Sequence, residues 1–158
     1  MHIKELMSHP AVTCPVDVTL DAVARVMWEY DCGVVPLVDG DGRVAGIITD
    51  RDICMAAYTQ GLPLARIPAS SAMSAQVFSC RPEDPVETAE SLMSARQIRR
   101  LPVVDRDGHP VGVVAINDLT RSATRAKGNG MEHEVVETLA AIGRARQPIP
   151  GREQATVR

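Results

Sequence analysis

The sequence predicts an α/β (α+β) fold made of two β-α-β-β-α units in tandem, followed by one further helix. Three observations predict it. Shifted by 66 residues without a gap, residues 7–57 match residues 73–123 at 12 of 51 positions, where average composition gives ~3. Each copy then runs through the same order of patterns: a short extended piece, a helical apolar stripe, two branched runs about an Asp/Gly turn, and a second helix. Beyond the second copy, residues 131–142 show helical periodicity of their own.

The shared positions include turn and polar residues, which marks a duplication rather than a common hydrophobic rhythm. Met7-Ser8 falls on Met73-Ser74, Cys14 on Cys80, Met27 on Met93, Pro36 on Pro102, Asp41-Gly42 on Asp107-Gly108, Gly46 on Gly112 and Asp52 on Asp118. A repeat is sought first because missing one misassigns the fold.

The elements follow in order. Val12–Cys14 and Val77–Cys80 are extended. The first helix carries Leu20, Val23, Ala24 and Met27 on one face; its counterpart carries Val86, Ala89, Glu90 and Met93, with Leu92 alongside. Thr19 stands where a side-chain cap starts the first helix. Asp84-Pro85-Val86-Glu87 reads as N-cap, first-turn proline and capping-box acid for the second. Val34–Val38 and Val44–Ile48 flank Asp39-Gly40-Asp41-Gly42, and Leu101–Val104 and Val111–Val114 flank Asp105-Arg106-Asp107-Gly108, so each pair reads as a buried hairpin. Short helices follow at 50–58 and 116–124.

The units are thus expected over 1–60 and 69–124, with the Gly- and Pro-bearing stretch 61–68 as a linker. Units of about fifty residues bury too little surface to stand alone, so the halves are expected to pack as one body. In 125–146, Ala126–Gly130 is a link and Met131–Ile142 a helix with Met131, Val135, Leu139 and Ile142 on one face. Gly143 is its candidate cap, and Arg144 and Arg146 suit its C-terminal dipole. Packing on its own module and contact with a partner are both open to this helix. Residues 147–158 have the composition of a disordered tail.

Composition narrows the function. The formal charge is −3 and the pI near 5.8, which opposes bulk attraction to nucleic acid or an anionic membrane. Aromatic residues are only 3% of the chain, too few for a surface that stacks unpaired bases. No apolar run approaches the ~18 residues needed to cross a bilayer, and the charged start lacks the apolar stretch of a signal peptide, so a cytoplasmic location is expected. Cys14, Cys32, Cys54 and Cys80 form no C-x-x-C pair, so they read as reduced thiols with no metal or disulfide framework. No nucleophile–base pair, metal-ligand spacing or activated histidine is evident among His2, His9, His109 and His133, and an enzyme is not expected.

Four segments carry a family resemblance: Cys32–Asp39, Ile98–Asp105, Gly46–Asp52 and Gly112–Asp118. Together, at matched spacing in both copies, they resemble the CBS (cystathionine β-synthase) domain pair, also called a Bateman module. The resemblance covers residues 1–124. It implies two repeats stacked about a pseudo-twofold axis, with two clefts that take adenosyl compounds such as AMP, ADP, ATP, NAD or S-adenosylmethionine. It also implies a homodimer of pairs that regulates a partner protein, unknown here, without catalysing a reaction. A membrane or nucleic-acid partner is not expected. The alternative is a dimerising scaffold whose clefts are empty.

Physical chemistry supports part of this. Gly46-Ile47-Ile48-Thr49 turns from strand to helix, placing a hydroxyl and free N–H groups where partial positive charge favours phosphate. Asp52, on the first turn, can accept from two vicinal ribose hydroxyls. The plainer reading of the same pair is a helix cap and first-turn acid; the duplication and Arg100 favour the ligand. In the family each cleft takes its sugar motif from one repeat and its lining from the other. Carried over, the first cleft joins Thr49 and Asp52 to Cys80, Pro85, Arg99 and Arg100; the second joins Asp118 to Cys14, Thr19, Gly33 and Val34. The first has a hydroxyl and arginines that fit phosphate oxygens. The second has Ala115 in place of the hydroxyl and Val34 in place of Arg100, so it is expected to bind more weakly, to be empty, or to suit a ligand with less phosphate. Cys14 and Cys80 read as small buried hydrophobes, unless the symmetry brings them together.

Overall fold

A computed structural model of the chain describes residues 1–125 and 131–142. The expected link at 126–130, the Gly143 cap, Arg144, Arg146 and the tail at 147–158 lie outside the described residues. The first unit contains β1 (Cys14–Pro15), α1 (Leu20–Glu29), β2 (Val34–Val38), β3 (Val44–Thr49) and α2 (Asp50–Gln60). The second contains α3 (Val86–Arg96), β4 (Arg100–Val104), β5 (Pro110–Ala115) and α4 (Ile116–Arg125), and α5 (Met131–Ile142) follows.

The branched runs form hairpins with matching registers. Val34 lies opposite Thr49 in the first and Arg100 opposite Ala115 in the second, and each slips register just before its turn. The turns repeat one chemistry. Asp39 Oδ1 accepts from the N–H groups of Asp41 and Arg43, and Asp105 Oδ1 from those of Asp107 and His109; Gly42 and Gly108 take the left-handed conformation. β1 joins β2 in parallel. In the second unit the extended piece expected over 77–80 reduces to a single parallel bridge, Cys80 to Val103.

Two caps differ from expectation. Thr19 does sit at the N-cap of α1, but its hydroxyl donates to Asp21 Oδ1 and makes no cap bond to the backbone. α3 starts at Val86 with Pro85 as N-cap and no side-chain cap, because Asp84 Oδ2 is taken by the Arg81 N–H in the preceding turn. The carboxylate that would have capped the helix closes the loop before it.

Two apolar cores form, and the segment leading into each unit serves the other. Ile3, fully buried, packs with Val86, Met93, Leu101 and Leu119 of the second unit. Ile67 and Ala69, both fully buried, pack with Leu20, Leu37 and Ile48 of the first. Backbone hydrogen bonds fix the exchange: Ile3 N–H to Asp84 C=O, Ser8 N–H to Val113 C=O, Leu20 N–H to Ile67 C=O, and Ser74 N–H to Ile47 C=O. The duplicated Met-Ser pair marks it in the sequence. A Cβ built on Gly112 would stand 2.8 Å from both the Met7 sulfur and the Ser8 carbonyl oxygen, and one on Gly46 would collide with the Met73 sulfur. Glycine at both strand positions lets a methionine close over the strand.

α5 packs across α3 and α4, with Val135, Thr138 and Ile142 buried. Leu139, expected on this face, is 42% exposed. The helix is rotated so that the position three residues after Val135 faces inward rather than the one four after it. Beneath it, Glu90 is buried within α3, its Oε1 without a partner among the described residues. Burial pushes the Glu90 carboxyl up, and Glu134 and Glu87 add to the shift. The folded state therefore holds the proton more tightly than the unfolded chain. The stability gained by keeping it is full below the ordinary carboxylate range and is lost as pH rises through the elevated value. Glu90→Gln keeps the shape without the charge. It is expected to raise the melting temperature at neutral pH, by about 1 kcal/mol of stability, with the difference shrinking toward pH 4 in a thermal melt series.

Candidate functional site

β3 delivers Thr49 to the N-terminus of α2, and the first turn closes on it reciprocally. Thr49 Oγ1 accepts from the Asp52 N–H at 3.2 Å, while Asp52 Oδ2 accepts from the Thr49 N–H at 2.8 Å and its hydroxyl at 2.7 Å. The capping reading and the ligand reading of this pair therefore do not compete. Oδ2 is spent on the cap, and Oδ1 accepts nothing from the described residues.

Arg100 enters from the other repeat. It opens β4, is half-buried, and rests on the backbone of Gly33. A Cβ there would meet an Arg100 guanidinium nitrogen at 3.1 Å and Asp50 Oδ2 at 3.2 Å. Gly33 in turn accepts from the Asp50 N–H at 3.3 Å. Among the described residues Arg100 is in no ion pair. A guanidinium in no ion pair among the described residues, next to the first turn of a helix, is what a phosphate would neutralise.

The remaining candidates are distributed differently. Gly33 and Val34, assigned by resemblance to the second cleft, lie here at the first: Gly33 carries Arg100, and Val34, buried, pairs with Thr49. Arg99 is exposed, and among the described residues only its carbonyl is engaged, by the Ile116 N–H. Cys80 is buried in the second core, bonded through its backbone to Pro102 and Val104, and borders an open hollow of ≈ 500 Å³ with Arg81, Asp84 and Asp105. Pro85 caps α3 and bridges to His2. Cys14 is buried in the first core opposite Leu37, and Thr19 bridges to Pro68.

Cys14 and Cys80 thus sit in separate cores, and the symmetry does not pair them. Burial pushes the Cys80 thiol up to about 12, with Asp84 adding to the effect, and raises Cys14 as well, beside Cys32. Neither is a reactive thiolate near neutral pH.

Asp118 is the counterpart of Asp52, and its surroundings are different. Its Oδ2 accepts from the Ala115 N–H at 2.8 Å, and its Oδ1 is held by the Arg121 guanidinium. The carboxylate is buried, on a cavity of ≈ 310 Å³ that Met1, Glu5, Leu6, Arg121 and Ser122 also line. The sequence reading missed Met1, Glu5 and Leu6. The signal for them was the Met-Ser duplication, which sets residues 1–8 against the second unit.

Asp105, Asp107 and His109 bring three potential metal ligands within 4.8 Å of one another. The ligand atoms of Asp105 and His109 are already engaged. Asp105 closes the hairpin turn and pairs with His109 Nδ1, while His109 Nε2 lies 3.0 Å from the Asp41 carbonyl oxygen. The cluster ties the two hairpin tips together, helped by the Val44 N–H to Gly108 C=O bond.

The CBS domain model matches residues 3–58 and again residues 69–124. The chain belongs to the CBS domain family. This CBS pair is 36% identical over 117 residues to the CBS domain-containing protein YhcV of Bacillus subtilis, an alignment covering 74% of this chain and 81% of YhcV. Its fold matches the CBS domain pair of protein MJ0100, solved in complex with 5′-methylthioadenosine and S-adenosyl-L-methionine, at a TM-score of 0.74 and 26% identity over 80% of this chain and 98% of that one. It also matches the CBS domain protein PAE2072 from Pyrobaculum aerophilum, complexed with AMP, at a TM-score of 0.71 and 27% identity over 87% and 99% of the two chains. α5 falls outside both matched segments of the pair. Among the described residues, no helix is long and apolar enough to cross a membrane.

Proposed function

We propose that this CBS pair is a non-catalytic, cytoplasmic regulatory module that binds an adenosyl nucleotide of the AMP, ADP or ATP type and relays its occupancy to a partner protein. The observation that carries this reading is Arg100, unpaired among the described residues, lying across the seam on Gly33 beside the Thr49–Asp52 turn. A ribose diol suits the open oxygen of Asp52, and the attached phosphate suits Arg100 and the α2 N-terminus. The adenosyl ligands of the MJ0100 pair and of PAE2072 support the same ligand class.

The ligand would touch both repeats at once, so its binding energy depends on how they are set against each other. An arrangement that brings Arg100 and Asp52 to their best separation is favoured by exactly the differential affinity of the ligand for it, which is how occupancy would reach a partner. A homodimer gives that change a larger surface. Trp28 and Tyr58 on α1 and α2 are 88% and 81% exposed, and large aromatics left outside are suited to an interface.

Arg100→Ala separates the two parts of the ligand. In titration calorimetry the variant is expected to lose on the order of tenfold or more in affinity for AMP while binding adenosine like the parent. Equal AMP affinity in both proteins would remove the phosphate role. Failure of parent and variant alike to bind any adenosyl compound would leave a dimerising scaffold with empty clefts.

A further inference from the structure

The two first-turn aspartates are copies of one motif, yet their outer oxygens meet different neighbours. Asp52 Oδ1 accepts nothing from the described residues, and the residue three positions on, one helical turn away, is Met55, which has no N–H donor in its side chain. Asp118 Oδ1 is held by Arg121, the residue that the 66-residue shift places on Met55. Asp118 is 6% exposed, whereas the Arg121 side chain is 68% exposed. The buried carboxylate is fixed in place, and the arginine covers it from the solvent side.

We propose that Arg121 is the specificity-determining residue of the second cleft, a latch that satisfies the Asp118 carboxylate and closes it to a sugar diol. The inference rests on the nucleotide-binding reading and adds what that reading lacks: a cause for the inequality of the clefts beyond Ala115 and Val34. With Oδ2 on the Ala115 N–H and Oδ1 on Arg121, each oxygen of Asp118 already accepts one bond, so neither is open to both hydroxyls of a diol as Asp52 Oδ1 is. A diol must displace a charge-assisted bond there, and at Asp52 it displaces only water. Glu5 also lines the cavity beside Asp118, its Oε1 already accepting from the His2 N–H, and Arg121 is the single cationic side chain among the lining residues. Drawing Arg121 away would leave two carboxylates facing one hollow.

Position 55 and position 121 can be exchanged to test this, with adenosine as the probe so that no phosphate competes for the arginine. Arg121→Met in an Asp52→Ala background reports on the second cleft alone. It is expected to bind adenosine at least fivefold more tightly than Asp52→Ala by itself. Met55→Arg in an Asp118→Ala background is expected to weaken adenosine at the first cleft by a similar factor. Thermal melts of each variant confirm that the fold is kept; both exchanged positions are exposed. A second cleft that binds no better, or worse, after Arg121→Met overturns the latch, and worse binding would make Arg121 a ligand contact. If first-cleft binding is present and lost in Asp52→Ala, that failure concerns the latch only. Absence of adenosyl binding in every variant would bring down the latch together with the nucleotide-binding reading.

Discussion

Asp52→Ala is expected to abolish AMP binding at the first cleft in titration calorimetry, with a fall of a hundredfold or more. The size follows from the division of labour between its oxygens. Oδ1, open among the described residues, is the acceptor for the ligand, and hydrogen bonds to a charged group contribute ~1.5–3 kcal/mol each; two sugar hydroxyls therefore account for the loss. Oδ2 has a second duty in the cap with Thr49, so the variant also loses about 1 kcal/mol of helix stability. Asp52→Asn distinguishes the two effects. It keeps an oxygen that can accept from Thr49 but carries no charge, so it should regain much of the melting temperature and little of the affinity. Asp118→Ala should cost far less AMP affinity, because Arg121 already occupies that carboxylate. A parent-like affinity in Asp52→Ala, with the fold intact, would place the ligand elsewhere.

Much of this arrangement was legible in the sequence because it was written twice. The hairpins could be placed from Asp39 and Asp105, whose oxygen accepts the same two backbone N–H groups in each copy, with a left-handed glycine at a fixed offset. The strand-to-helix turn at Thr49 was legible for the same reason: a local bond pattern depends on residues three apart. Contacts between distant segments were not legible. Nothing local in Arg121 shows that it turns back onto Asp118 rather than outward, and nothing in Asp84 shows that the Arg81 N–H takes its carboxylate before the helix can. The resemblance assigned Gly33 to the second cleft. Its partner, Arg100, lies 67 residues away in sequence, and only the packed seam makes it a platform for a guanidinium.

The exchange of leading segments carries the second large expected effect. Ile3→Ala should cost ~2–5 kcal/mol, the usual range for emptying a fully buried aliphatic site. Against a total stability of ~5–15 kcal/mol for an ordinary domain, that is a severe loss from a residue in a short 3-10 turn, outside every strand and long helix. The damage should be directional. Ile3 fills the core formed by Val86, Met93, Leu101 and Leu119, so hydrogen exchange should quicken in α3, β4 and α4 before it quickens in α1 and β2. Ile67→Ala should do the reverse, because Ile67 fills the core around Leu20, Leu37 and Ile48. Each substitution therefore loosens the unit that does not follow it directly along the chain in the first case, and the one that precedes it in the second. If urea melts showed Ile3→Ala within about 0.5 kcal/mol of the parent, the size expected of a surface change, residues 1–8 would not be part of the second unit's core. The cavity at Asp118 would then lose three of its walls, Met1, Glu5 and Leu6, and the second cleft would be an open surface rather than a site that Arg121 closes.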